Sequence, residues 1–173
     1  MDKPTFVYTT YIWTTPELLW QALTQPEFTL QYWGVAYESD WEAGSTFAVK
    51  LDRGGVTIVD PAQVVLESDP PRRLVYTWHT FTREWADAYG FDAAYLNKVA
   101  AEPRSTASFD MEPVGEQVKL TVVHSGFESG STVLEGVSQG WPLILSALKT
   151  LLETGQALSL ASDATGEERE AAR

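Results

Sequence analysis

The sequence predicts an α+β domain in which a curved antiparallel sheet packs its apolar face against one long C-terminal helix. Three observations carry this. The middle of the chain reads as short strands separated by turn residues. Val137 to Gly155 is amphipathic at helical spacing. The chain opens with a strand followed by two short helical segments.

Phe6 to Trp13 is dense in aromatic and β-branched residues, which suit a pleated surface, and is read as the first strand. Thr14-Thr15-Pro16-Glu17 combines a hydroxyl cap, a proline and an acid, so a helix starts there and runs through Leu18, Leu19, Ala22 and Leu23 to about Thr24. Pro26 restarts a second short helix that reaches about Tyr32. Strands are then expected at Val35 to Ser39, Ser45 to Leu51, Val56 to Leu66, Arg73 to His79, Thr106 to Glu112 and Gln117 to His124. Gly44, Arg53-Gly54-Gly55, Asp69-Pro70-Pro71 and Pro113-Val114-Gly115 connect them, and Pro61 marks a bulge or an edge.

Alternation places Phe47, Val49, Leu51, Leu74, Tyr76, Trp78, Phe109, Met111, Leu120, Val122 and His124 on one face, with Lys50, Arg73, Asp110, Glu112 and Lys119 on the other. That apolar face needs a cover. The C-terminal stretch supplies it: Val137, Trp141, Ile144, Leu145, Leu148, Leu151 and Leu152 form one stripe, with Gln139, Ser146, Lys149, Thr150 and Glu153 largely opposite. Ser138 is the expected N-cap, Pro142 falls in an early turn, and Gly155 takes the left-handed position that ends the helix.

Two segments stand apart. Phe81 to Pro103 is too long for a hairpin loop and carries Phe81, Trp85, Tyr89, Phe91, Tyr95 and Leu96; one or two short helices are expected in it, Asp92 to Ala101 being the better. Residues 1–158 are read as one domain, and Ser159 to Arg173, small, polar and charged, as a disordered tail.

The 173 residues suffice for a full core without staples. A net charge of −12 argues against a nucleic-acid surface, because polyanions are held by clustered Lys and Arg. With no cysteine, disulfides, thiolate catalysis and Cys-based zinc sites are excluded. No leader pattern and no run of eighteen apolar residues is found, so a cytoplasmic protein with no membrane contact is expected.

Particular residues carry a family resemblance. Tyr11-Ile12-Trp13-Thr14-Thr15-Pro16-Glu17 with Trp20, Ala22-Leu23-Thr24, Pro26-Glu27 and Tyr32-Trp33-Gly34 is similar to the opening of the branch of the START and Bet v 1-like (SRPBCC) superfamily named for activators of heat-shock protein 90 ATPase. Asp69-Pro70-Pro71-Arg72-Arg73-Leu74, His124-Ser125-Gly126-Phe127 and Gly140-Trp141-Pro142 followed by Leu148-Lys149, Leu151-Leu152-Glu153 and Gly155 resemble it too. The resemblance implies a helix-grip fold, β-α-α-β6-α, with a pocket between sheet and helix that often takes hydrophobic or aromatic small molecules. In the co-chaperones that name the branch, a second, N-terminal domain does much of the chaperone binding; here the first strand lies near the start of the sequence, so that role is not expected to carry over whole. The Phe81 to Pro103 insertion departs from the family's usual short loop.

Candidate site residues follow. Trp33, Phe47, Val49, Tyr76, Trp78, Phe109, Leu120, Val122, His124, Phe127, Trp141, Leu145 and Leu148 are the expected pocket lining, an apolar surface with a few polar tips; the competing reading is that these rings only fill space. His124 and Tyr76 are the candidates for acid–base work, against the more ordinary reading of a hydrogen-bonded core histidine. Alternation turns His79 outward, away from His124, so no shared metal site is expected, and no nucleophile elbow or phosphate loop is present. The first functional expectation is binding of a hydrophobic or aromatic small molecule without a cofactor or chemistry of the protein's own. The alternatives are a cyclase, dehydratase or hydrolase in the same pocket, and a co-chaperone or stress-response interaction domain. The insertion is expected to act as a lid over the pocket mouth, against the equal reading that Trp85, Tyr89 and Tyr95 only pin the segment to the surface; left exposed, those rings would make a homodimer surface.

Overall fold

The computed structural model describes residues 2–158. The chain runs β1 (Phe6–Ile12), α1 (Pro16–Thr24), α2 (Pro26–Tyr32), β2 (Val35–Glu38), β3 (Ala48–Leu51), β4 (Thr57–Ile58), β5 (Val65–Asp69), β6 (Arg73–Thr77), α3 (Arg83–Tyr89), α4 (Ala93–Ala101), β7 (Thr106–Val114), β8 (Gln117–Ser125) and α5 (Thr132–Thr154). The expected tail, Ser159 to Arg173, lies outside the described residues.

The opening helices start at Pro16 and Pro26, as the sequence predicts. Thr15 Oγ1 accepts from the Leu18 amide at 3.2 Å, and Pro16 takes the first turn, where its missing N–H leaves no partner unmet. Five strands pair antiparallel in the order β1-β8-β7-β6-β5, and three in the order β2-β3-β4. The two sheets meet where the Gly44 amide donates to Val65 O and the Val65 amide to Ser45 O, each at 2.8 Å, next to the Thr46–Val64 bridge. The result is one bent layer. The expected strand from Val56 to Leu66 is instead two, β4 and β5, because the chain turns at Pro61, which cannot donate to a ladder.

All eleven residues assigned to the inner face are buried, from Phe47 on the β2–β3–β4 side to His124 on β8. The stripe on α5 meets them, with Trp141, Leu145, Leu148 and Leu151 buried and Val137, Ile144 and Leu152 half-buried. At its C-terminal half α5 is tied to the free edge of β1: Lys149 Nζ donates to the Tyr11 carbonyl at 2.6 Å.

The helix starts earlier than the sequence suggests. Its N-cap is Ser131, whose Oγ accepts from the Leu134 amide at 2.9 Å; Ser138 sits inside the helix and Pro142 near its middle. The reason is a long-range partner. Glu102, at the end of α4, accepts from the Thr132 and Val133 amides at 2.7 and 3.2 Å and from the Ser131 hydroxyl, so a carboxylate occupies the positive end of the helix. Gly155 ends the helix at φ 77°, as its position requires.

Candidate functional site

A cavity of ≈320 Å³ lies between β2–β3, the N-terminal half of α5 and the insertion. Val35 and Tyr37 of β2 and Val49 and Leu51 of β3 form its floor; Trp33 after α2, and Trp78 and His79 after β6, form one side. The insertion forms the facing wall with Phe81, Trp85, Tyr89, Phe91, Tyr95 and Val99.

The insertion folds by its own local rules. Thr82 caps α3 by accepting from the Trp85 amide at 3.1 Å, Gly90 ends it at φ 73°, and Asp92 caps α4 by accepting from the Tyr95 amide at 2.8 Å. Its rings then pack on one another, with Phe91 and Tyr95 stacked at 4.3 Å and Phe81 against Trp85 at 4.9 Å between centroids. Across the rim, the Arg53 guanidinium lies 5.5 Å from the centre of the Tyr89 ring. Tyr89 and Phe91 are each 37% exposed while Trp85 is buried, so the segment turns its largest ring inward.

Two glycines on α5 keep the helical wall open. Gly136 and Gly140, one turn apart, line the cavity. At Gly140 a methyl in the Cβ position would have no atom within 4 Å, and at Gly136 it would meet Tyr95 Oη at 3.5 Å. Sequence reasoning missed both as site residues; a helix-interior glycine pair facing the same way as Val133, Val137 and Ile144 was the available signal.

Of the lining foreseen from the sequence, Trp33, Val49, Trp78 and Trp141 stand in this cavity. Tyr76, Phe109 and Leu145 instead border, with Trp33 and Trp141, a void of ≈10 Å³ beneath α5. Phe47, Leu120, Val122, His124, Phe127 and Leu148 line neither. The space between the sheet centre and the middle of α5 is filled, chiefly by the Trp141 indole, which packs 5.7 Å from Phe109, 5.6 Å from Trp78 and 5.4 Å from Trp33. The open volume is displaced toward the insertion.

Of the two histidines, His124 keeps the inner side that alternation assigned it but is locked into the core, and His79 departs from its assignment. His124 is fully buried: the Trp141 indole N–H donates to its Nδ1 at 3.1 Å, so its Nε2 carries the hydrogen and donates to Ser105 Oγ at 2.8 Å. Burial, with His79 nearby, holds it down at about 3. With both ring nitrogens engaged it has no lone pair left to take a substrate proton. His79 faces the cavity instead of solvent: β6 ends at Thr77, the Trp78 amide still donates to Ser105 O at 2.8 Å and keeps its assigned side, and alternation gives way one residue later. Burial lowers its pKa to about 4, so the ring is neutral at pH 7. Burial also raises the Tyr76 phenol well above its ordinary range, which makes it a poorer acid. Among the described residues no group of three or more His, Asp or Glu is placed to hold a metal ion, and no helix is long and apolar enough to cross a membrane.

No curated protein matches the sequence. Solved structures do. A Mesorhizobium loti protein is 27% identical, with a TM-score of 0.66, over 86% of this chain and 96% of its own. The Aha1 dimer of Colwellia psychrerythraea is 19% identical, with a TM-score of 0.64, over 89% of this chain and 99% of its own. An Hsp90 activator of Plasmodium falciparum is 20% identical, with a TM-score of 0.60, over 86% of this chain and 95% of its own. The family model described as Activator of Hsp90 ATPase homolog 1-like protein matches residues 13–153, from the end of β1 to the last turn of α5. With strand order, gripped helix and sequence model in agreement over most of its length, the chain belongs to the Activator of Hsp90 ATPase homolog 1-like protein family.

Proposed function

We propose that the protein binds a hydrophobic or aromatic small molecule in the chamber between β2–β3, α5 and the insertion, without chemistry of its own. The observation that carries this is the ≈320 Å³ of open space walled almost wholly by aromatic and aliphatic side chains. That volume is at the lower end of the range of small-ligand sites, and the wall has the matching composition, an apolar surface with few polar atoms. A close-packed interior does not leave such a void unless something keeps the walls apart. Here the capped helices of the insertion hold one wall away from α5, and Gly136 and Gly140 withhold side chains from the other. Titration with a naphthalene-type fluorophore tests the reading. Saturable one-to-one binding that quenches tryptophan emission is expected, since Trp33, Trp78, Trp85 and Trp141 all border the space. No binding at probe concentrations up to solubility would refute it.

A second reading, contact with an Hsp90-type chaperone, draws on the family and on the Plasmodium falciparum and Colwellia psychrerythraea structures, which at their identity show the fold alone. The net charge of −12 would suit a basic partner surface. Co-sedimentation with purified Hsp90 that is lost at raised salt would favour it.

A further inference from the structure

We propose that the chamber selects an uncharged aromatic ligand bearing a hydroxyl group, and that His79 is the acceptor for that hydroxyl; this rests on the ligand-binding reading above. The geometry sets the tautomer. His79 Nδ1 lies 2.9 Å from the Thr80 carbonyl oxygen, which can only accept, so Nδ1 carries the hydrogen and Nε2 is left with a bare lone pair. Among the described residues no donor reaches Nε2. The ring stands in the wall of the main cavity and of the adjoining ≈130 Å³ space, held in place by Trp78 on one side and edge-on by Phe81 at 4.8 Å on the other.

The rest of the wall narrows the ligand's chemistry by charge. None of the main cavity's nineteen residues is Asp, Glu, Lys or Arg; Arg53 stands at the rim and Arg104 and Glu102 in the adjoining space, so a carboxylate or ammonium brought into the main cavity would lose hydration with no counter-ion in its wall. The flat walls favour a flat molecule: four indoles from separate segments and the stacked Phe91–Tyr95 pair present ring faces and edges to it. In such surroundings a ligand's hydroxyl needs an acceptor, because a buried unpaired donor costs about 1 to 3 kcal/mol. Tyrosine hydroxyls in the wall can turn to give or to take; Nε2 of His79 can only take. It is therefore the group that tells a hydroxyl from its ether.

The test compares naphthol, its methyl ether and naphthoate on the intact chain, each by fluorescence titration at pH 7. Naphthol is expected to bind roughly ten-fold more tightly than the ether and naphthoate at least ten-fold more weakly than naphthol. In His79→Phe, which keeps a ring of similar size and removes the acceptor, the naphthol-to-ether ratio should fall to about one. Nitrogen NMR of the wild-type protein gives a reading that does not depend on the variant folding: the His79 Nε2 resonance should move with naphthol and hold still with the ether. An unchanged ratio in His79→Phe, an unmoved Nε2 resonance, or naphthoate binding as tightly as naphthol would overturn the assignment while leaving the chamber a binding site. Failure of all three probes to bind would instead remove the binding reading beneath it.

Discussion

Gly140→Leu is expected to stabilise the protein and abolish binding in the same step. Glycine in a helix interior is about 1 kcal/mol less favourable than alanine, so removing it from α5 recovers roughly that amount. The added side chain would extend into open space, since no atom lies within 4 Å of the Cβ position. Its three further carbons, at roughly 0.8 kcal/mol each when fully buried, bring ~2 kcal/mol more at most. Allowing for imperfect packing in a wall not shaped for it, a gain of about 1 to 3 kcal/mol is expected, with Gly140→Ala near 1. For a domain of this size each 1 kcal/mol raises Tm by roughly 2–4 °C. The leucine would take up part of the ≈320 Å³, and affinity for the naphthalene-type probe should fall at least ten-fold. Urea denaturation and probe titration on the same samples measure both quantities. If Gly140→Leu destabilised the fold, the space beside Gly140 would not be the void described. If it stabilised the fold and left affinity unchanged, the ligand would sit elsewhere.

Two further outcomes follow from the long-range contacts. Glu102→Ala removes the carboxylate that accepts from the Thr132 and Val133 amides and should cost about 2 kcal/mol of stability, fraying the first turn of α5; hydrogen exchange at those amides would show the fraying, and unchanged protection would contradict the capping account. Acid should also destabilise the fold: burial holds His79 at about 4 and His124 at about 3, against 6.5 for a free histidine. Between pH ~6.5 and ~4 the unfolded chain thus binds more protons than the folded one, so stability present above that window falls on acidification by up to ~1.4 kcal/mol per pH unit for each histidine. Urea midpoints at neutral pH and near pH 5 that coincide would refute the burial of both rings.

Much of the frame was legible because it is written in local signals. Thr15-Pro16 starts α1, period-two alternation sorts Leu74, Tyr76, Phe109, Leu120 and Val122 to the inside, and Gly155 stops α5; each depends on neighbours within a few residues. The site was legible only in part. Trp33, Val49, Trp78 and Trp141 were expected as lining and stand in the cavity wall, yet five of the insertion's aromatics and two glycines share that wall, and His79, read as facing outward, stands in it while His124 on the inner face is tied up in the core. Alternation held through Trp78 and failed at His79, since beyond the last bond to the neighbouring strand nothing obliges successive side chains to point to opposite faces.

From its sequence alone this protein is an α+β chain with a sheet, a covering amphipathic helix, an acidic exterior and a family resemblance carried by turns and caps. Tertiary structure decided where the empty volume lies. Trp141 bonds to His124 at the end of β8 and fills the centre, Glu102 reaches across to extend α5 by several residues, and the insertion walls one side of what remains. Periodicity reports which face of an element is apolar. Whether two apolar faces meet or stand apart depends on the volumes of side chains brought together from distant parts of the chain, and that is settled only when they pack.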